Sequence, residues 1–517
     1  MMNCIKILTG TFVGVLCVLG WAPYDVELVT IAAYAVLLLL VLKSSQKASL
    51  YIAFAFAIGL HSVGHIWVFE SLINQTKSNL IVAVLGSSAF LTYLSLFTAL
   101  PVIFFRYSVS LTCKPVAIVL MYAACMTLGE YARSCFFNGF TTLSLGYAFA
   151  TTSAKHWLPL WGVYGLSLLA YCLSAMLTMV LNSLLKRKEA ILKNSLLLCT
   201  GVFVLYGVGF CLSFVNWVQP EGKPLSYLLI QSSASQSNRF LSTPEQDRAS
   251  LIEYVNIITK EPANVIITPE TAFPYYLNQL PGDVLDRLKA FSAKTNSHLF
   301  LGIATRASNS NGYNSVVHIS PSAMPAKYDK TRLMPFGEYS PYGFSWFTSQ
   351  LQVSMKDLSA GAVAQRPFVI NPNVRAGTVI CHEEFVGSEL RAWLPAAQFF
   401  INPSNLTWFD QTVAPSMLLQ VVRTRALEMG RPFLRTVNTG VSAHINHLGG
   451  IEAALPVGQQ GVVRGTIQPT TGITPYALLG DAPLLVLLSL ILAIHICVTK
   501  VNMRHSGNRD REKIHGS

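Results

Sequence analysis

Apolar residues run in long blocks through the first 215 positions. Stretches at roughly 4–22, 25–43, 50–72, 79–105, 115–131, 157–184 and 192–215 are almost free of charge, and one more lies at 478–499. A helix needs about 20 such residues to cross about 30 Å of hydrocarbon, so the pattern predicts eight membrane spans. The first block could pass for a cleavable leader. No small-residue cleavage site follows it, however, and Pro23 stands just past its end, which predicts a retained anchor.

Between the seventh and eighth blocks the pattern changes to short β-rich runs alternating with helical periodicity. SYLLIQ, NVIITPE, HLFLGIAT, SVVHIS, AGTVICHE and AQFFINPS read as strands, each a short run rich in Val, Ile, Leu and Phe. PEQDRASLIEYVNIITK and GDVLDRLKAFSAKT repeat apolar positions at i, i+3 and i+4, as helices do. Strands alternating with helices predict an α/β domain. The expected division is 1–215 for seven spans, 216–476 for the soluble domain, 477–499 for the eighth span and 500–517 for a basic tail.

Composition agrees. Hydrophobic residues make up 52% of the 517-residue chain, charged residues only 12%, and mean hydropathy is +0.45. A typical soluble domain carries roughly a quarter charged residues, so a soluble enzyme, a disordered chain and a disulfide scaffold are excluded. The net charge of +12 does not call for nucleic acid. Its cations sit in short loops, at Lys43 and Lys47, Arg106 and Lys114, and Lys186 to Lys188, and in the tail from Lys500 to Lys513. The intervening loops are poor in Lys and Arg. The positive-inside rule then places both termini in the cytoplasm and the soluble domain outside.

Of ten cysteines, only Cys381 falls within the soluble stretch, so no disulfide or multi-cysteine zinc site can form there. Three strand ends in that stretch carry chemistry. NVIITPETAFP runs from an apolar strand into Glu270, where partial desolvation suits a general base. AKYDKTRLMPFGEYSP sets Lys330 eight residues before Glu338 and offers a cation for an oxyanion. TVICHEEF turns abruptly at Cys381, as a cysteine nucleophile requires. Taken singly, each could be a capping Glu, a solvated Lys or a small buried thiol. The separations are 60 (330 − 270) and 51 (381 − 330) residues, so only a tertiary fold can bring them together.

With PETAFP, YDKTRLMPFGEYSP and CHEE in this order, the soluble domain resembles the nitrilase superfamily, whose signature is a Glu–Lys–Cys triad in an α-β-β-α sandwich. SNLTWF at 404–409, LEMGRPFLRTVNTGVSA at 427–443, GHIWVFESL at 64–72 and LGEYARSCFFNGFTTLSLGYA at 128–148 extend the likeness to nearly the full length. The whole chain resembles the apolipoprotein N-acyltransferases, the membrane-anchored branch of that superfamily. The resemblance implies a multi-span helical membrane domain with an inserted nitrilase-like domain. It implies Glu270 as base, Lys330 as oxyanion holder and Cys381 as nucleophile, with Glu338, Glu383 and His382 in support. The implied donor is a phospholipid and the implied acceptor a diacylglyceryl apolipoprotein, with no cofactor, no metal and a monomeric enzyme in the bacterial inner membrane.

The chain also departs from the family pattern. His382 stands where a Tyr is usual, and Phe240 replaces a Trp on the loop after the first strand. NDAWFG becomes Asn405 to Asp410, with Trp408 retained, and GFPW becomes Gly139 to Thr142. Phe240, Asn405 and Trp408 are candidates for substrate or lid contacts. A second reading of His382 is a surface residue filling the Tyr slot. In the membrane part, His61 and His65 lack a third metal ligand and suit packing or headgroup contact. Glu130 and Arg133 are spaced for an i, i+3 ion pair that would position a phospholipid. Two other readings stay open: a membrane-anchored amidase or other hydrolase with the same triad, and a transporter or scaffold carrying an inactive domain.

Overall fold

The computed structural model describes the chain except residues 1, 76–77, 110–113, 187–189, 233–242, 307–310, 323, 352–356, 410–411 and 516–517. Among the described residues, eight helices form the membrane part: α1 (Met2–Cys17), α2 (Glu27–Leu42), α3 (Gln46–Gly64), α4 (Leu80–Ser108), α5 (Pro115–Cys135), α6 (Leu158–Leu185), α7 (Ile191–Val202) and the C-terminal helix Ala482–His515, apolar over Ala482–Thr499. Seven helical segments among the described residues are long and apolar enough to cross a membrane, and α2 is the shorter exception. At 1.5 Å per residue its 16 residues reach about 24 Å. Helix α7 continues through a wide turn at Phe203–Val208 into Gly209–Leu212.

The soluble domain is built on two sheets. The first follows the order β12-β1-β2-β3-β4-β5, where β1 is Leu225–Gln231, β2 Val265–Ile267, β3 His298–Thr305, β4 Tyr313–Ile319, β5 Ala326–Asp329 and β12 Gly461–Ile467. The short strand Phe273–Tyr276 runs parallel beside β3. The second follows β11-β10-β9-β8-β7-β6, where β6 is Phe368–Asn371, β7 Val374–Thr378, β8 Phe399–Ser404, β9 Phe433–Val437, β10 Ser442–Ile445 and β11 Ile451–Leu455. Each sheet has three parallel strands at its centre, β1-β2-β3 and β7-β8-β9, with antiparallel neighbours outside.

Alternation along the strands explains the layering. In β1, Tyr227 and Leu229 join the core between the sheets, while Leu228 and Ile230 face the outer helices. Side chains with a period of two cannot do otherwise. Helices α8 (Pro244–Lys260) and α9 (Gly282–Thr295) cover the first sheet through Leu251, Tyr254, Ile258 and Leu288. A reciprocal capping box at Thr243 and Gln246 starts α8, and Asn296 in the left-handed region ends α9. Both helices keep the bounds that periodicity predicts.

Helix α10 (Ala414–Met429) covers the second sheet and joins the two halves of the molecule. Leu419, Val422 and Ala426 pack on the sheet, while Met417, Leu418 and Val421 pack into the core of the membrane helices. Helix α6 is broken at Gly162, where φ is 64°. The amide of Val163, freed by that break, donates to Glu428 at 2.7 Å. Glu428 pairs with Arg425, whose guanidinium also donates to Tyr147 Oη at 2.7 Å and to the Phe385 carbonyl at 2.9 Å. A buried charge left unpaired would be costly, so this network fixes the register of the two halves.

Candidate active site

Glu270, Lys330, Cys381 and Asn405 all lie just past strand ends. Glu270 follows β2, Lys330 follows β5, Cys381 comes after β7 and Asn405 after β8. Ligand sites of open α/β sheets lie at the carboxyl ends of parallel strands for the same topological reason. Glu270 approaches through a tight crossing: a Cβ on Gly302 of β3 would lie 1.9 Å from the Pro269 carbonyl oxygen. Only glycine leaves room there.

Lys330 is the hub of the first sheet's contribution. Its ammonium donates to Glu270 Oε1 and Glu338 Oε1, both at 3.0 Å. Asn314 of β4 donates to the same two oxygens at 2.6 Å each. The amide of Met334 donates to the other Glu338 oxygen at 2.7 Å. All three ionisable side chains are buried. Burial pulls the Lys330 pKa down, but the Glu270 and Glu338 carboxylates outweigh it and leave the ammonium firmly charged.

Cys381 arrives from the second sheet. Its φ of 50° places a non-glycine residue in the left-handed region, at the start of the short turn Cys381–Phe385. Thr271 and Phe336 share this conformation, with φ of 50° and 65°, so each of the three arms of the site carries a strained residue. Burial pushes the Cys381 thiol up and the Glu270 charge adds to the rise. The Lys330 charge and the backbone amide of Asn405 oppose it. The resting sulfur is therefore a thiol within the fields of both Glu270 and Lys330.

Glu383 ties the two arms together. It accepts from the amides of Ile380 and Thr331, both at 2.7 Å, from the Thr331 hydroxyl at 2.7 Å and from Tyr328 Oη at 2.9 Å. One carboxylate thus bridges the turn of Cys381 and the segment of Lys330. Glu384, its neighbour, pairs with Arg435, which donates to Asn402 at 2.6 Å. Burial raises the pKa of both acids, against the pull of these donors.

The remaining candidates fall in varied places. His382 is 4% exposed, not a surface residue, and its Nδ1 has no hydrogen-bond partner among the described residues. Burial and the Lys330 cation pull its pKa down to about 4, with Glu338 and the Gly139 carbonyl working the other way. The side-chain oxygen of Asn405 accepts from the Thr407 amide at 3.2 Å and so caps its own turn. Trp408 is half-buried on that turn, while Phe240 and Asp410 lie outside the described residues. Glu130 and Arg133 do not pair with each other. Glu130 accepts from the Leu145 amide and from Tyr171, both at 2.7 Å, and Arg133 donates to Ser144 at 3.0 Å. Their contacts are internal because both side chains point into the helix bundle, where a polar group must find protein partners. His61 and His65 meet at 3.3 Å and end on Thr98 and Thr142. Among the described residues no cluster of three or more His, Cys, Asp or Glu could hold a metal ion.

Sequence reasoning missed Asn314, Asn402 and Arg435. Nothing local marks an asparagine in SNGYNSV as the bridge between two carboxylates. Arg435 carried a signal, as a cation within the apolar run of PFLRTV.

A neutral buried His382 makes a specific prediction. An unfolded histidine takes its proton near pH 6.5, the folded one only near pH 4. As pH falls from 6.5 to 4, the unfolded state binds more protons and wild-type stability drops relative to His382→Tyr. The gap should reach about 3 kcal/mol and stay constant below pH 4. Thermal midpoints of the two proteins in detergent at pH 7.5, 5.5 and 4 test this, and parallel pH curves would refute it.

Comparison with known proteins extends these observations. Residues 13–176 match the apolipoprotein N-acyltransferase N-terminal domain, and residues 232–476 match the carbon-nitrogen hydrolase domain. The chain is 31% identical to an apolipoprotein N-acyltransferase of Nitrosomonas europaea, over 94% of this chain and 96% of that one. It is 30% identical to that of Methylococcus capsulatus over 98% and 97% of the two chains. Among solved structures, an amidase from Nesterenkonia sp. aligns at 17% identity and a TM-score of 0.37, covering 52% of this chain and 96% of that one. With both domain matches in this chain and at least 30% identity to these relatives over more than nine-tenths of each, the chain belongs to the apolipoprotein N-acyltransferase family.

Proposed function

We propose that this protein moves an acyl chain from a phospholipid to the α-amino group of the diacylglyceryl cysteine of an apolipoprotein, through a thioester on Cys381. The carrying observation is the buried Glu270–Lys330–Glu338 assembly, of which Glu270 and Lys330 act on the thiol of Cys381, in a chain of this family. Glu270 takes the thiol proton as sulfur attacks the ester carbonyl. The carbonyl oxygen becomes an oxyanion, which Lys330 stabilises. Collapse breaks the ester bond, and the departing lysophospholipid oxygen takes the proton from Glu270. The acceptor amine then attacks the thioester and loses a proton to Glu270, and the sulfur recovers its proton as the amide forms. Glu338 and Asn314 hold Lys330 and Glu270 in place, and Glu383 holds the two arms.

The helices support this reading physically. Both substrates are anchored in lipid, so a site held at the bilayer surface replaces a search in solution by proximity. The loop charges favour the inner membrane with both termini cytoplasmic and the catalytic domain on the periplasmic side. One chain supplies every catalytic group of this scheme, so a monomer suffices for it. Family membership favours transfer over hydrolysis, because a hydrolase gives no use for the helices.

Intact-mass measurement after incubation with phospholipid tests the proposal. Wild type should gain one acyl mass, Cys381→Ala should gain none, and a diacylglyceryl peptide should discharge the adduct. An unmodified, folded wild type would refute it.

A further inference from the structure

Helix α5 ends at Cys135, and the chain then runs through a tight loop, 136–144, to the short turn Leu145–Phe149. Four residues of this loop have positive φ: Phe137 at 47°, Asn138 at 62°, Gly139 at 84° and Leu143 at 60°. Three of them are not glycine, so partners must hold the conformation. Its far end is held from the bundle by Glu130 on the Leu145 amide and by Arg133 on Ser144. Phe136 and Phe137 anchor its near end on Phe97 and Tyr93 of α4, with ring centroids 5.7 and 5.4 Å apart.

Between these anchors the loop reaches into the catalytic domain at two points. Asn138 Nδ2 donates to the Leu333 carbonyl at 2.9 Å and to Tyr339 Oη at 3.4 Å. Leu333 lies three residues after Lys330, and Leu333 and Tyr339 bracket Met334 to Glu338, where the Met334 amide holds the Glu338 carboxylate. Thr141 donates to the Phe385 carbonyl at 3.4 Å, on the turn that begins with Cys381. Gly139 lies against the same turn: a Cβ there would come 3.1 Å from Val386 Cγ2 and 2.8 Å from the Ser134 carbonyl.

We propose that Asn138 is a positioning residue: through Leu333 and Tyr339 it holds the Lys330–Glu338 segment on the membrane domain, while Thr141 of the same loop holds the Cys381 turn, so that the membrane domain sets how these groups meet. Asn138 touches none of the reacting groups and acts only through the backbone it pins. Its effect on activity rests on the acyl-transfer reading, whereas its effect on local order does not.

The test uses the full-length protein in phosphatidylethanolamine nanodiscs. Asn138→Asp keeps size and tolerance of positive φ but removes the donor, and Asn138→Gly removes the side chain while keeping the backbone free. Both should acylate Cys381 about 10- to 100-fold more slowly at saturating phospholipid, since small misplacements of reacting groups are that costly. Half-saturating phospholipid should stay within about twofold, because no binding contact is lost. Amide exchange at 332–339 should quicken about fivefold or more, with α6 and the second sheet unchanged. Acylation within about twofold of wild type would overturn the proposal. So would slowing without faster exchange at 332–339, or faster exchange throughout the chain. Should wild type itself form no adduct, the acyl-transfer reading falls alone, and the exchange comparison still decides whether Asn138 holds this segment.

Discussion

Replacing Glu270 by glutamine is expected to slow acylation of Cys381 by about 10²- to 10⁴-fold, the usual contribution of a general base. The upper part of that range is expected here. Burial and the Glu270 charge keep the sulfur protonated at rest, so the proton must leave during attack and not beforehand. Glu270 Oε1 already serves Lys330 and Asn314. A glutamine carbonyl can accept both bonds at the same volume, so the substitution removes basicity and leaves the scaffold standing. Single-turnover acylation followed by intact mass measures the loss, with thermal midpoints as the control for folding. A variant within about tenfold of wild type would assign the proton to another group.

The second large effect is on stability. Lys330→Met should destabilise the protein by about 3–5 kcal/mol, because it leaves Glu270 and Glu338 buried together with Asn314 as their shared donor. The sign of its pH dependence follows. Without the cation, two like charges are buried side by side, and uptake of one proton by the folded variant relieves their repulsion. The folded variant then binds the extra proton, so its stability rises as pH falls from 8 toward 5. Lys330→Met combined with Glu338→Gln should recover part of the loss at pH 8, since one of the two charges is gone. Thermal midpoints of the three proteins at pH 5 and pH 8 decide the matter. A Lys330→Met midpoint at pH 8 within about 2 °C of wild type would show that the pair is not buried as described.

Much of this architecture was legible before any coordinates. Long apolar blocks and period-two runs are strong signals because hydrocarbon thickness and strand pleating impose them directly. Helices α8 and α9 carried their boundaries in the chain, through Thr243 with Gln246 and through Asn296. Helix α10 was not legible as a helix. It is buried on both faces, between the second sheet and the membrane bundle, and even its polar residues Gln420, Thr424, Arg425 and Glu428 are buried, so its pattern does not read as an apolar face opposite a solvated one. In the site, Glu270, Lys330 and Cys381 were each ambiguous alone and became legible through their shared place past strand ends, their order and the motifs around them. Asn314 and the bracing role of Glu130 depend on long-range contacts, 44 residues from Asn314 to Glu270 and 41 from Glu130 to Tyr171. No window of sequence contains them. The surface alternative for His382 fails for the same reason, since the residue is buried and the Gly139 carbonyl of a distant loop lies against it.

The pairing of β12 with β1 has a consequence for how the protein is made. Gly461–Ile467 lies against Leu225–Gln231 along seven residues, so the first sheet is completed only by a strand translated 230 residues (461 − 231) later. The last apolar helix begins at Ala482, 15 residues (482 − 467) beyond that strand. Closure of the sheet and arrival of the final anchor are thus nearly one event in synthesis. A nascent chain interrupted before Gly461 exposes β1 as a bare edge, ready to pair with another unfinished copy. Premature termination should therefore yield aggregating fragments with no residual enzyme, and cellular quality control meets a chain that is either finished or a substrate for proteolysis.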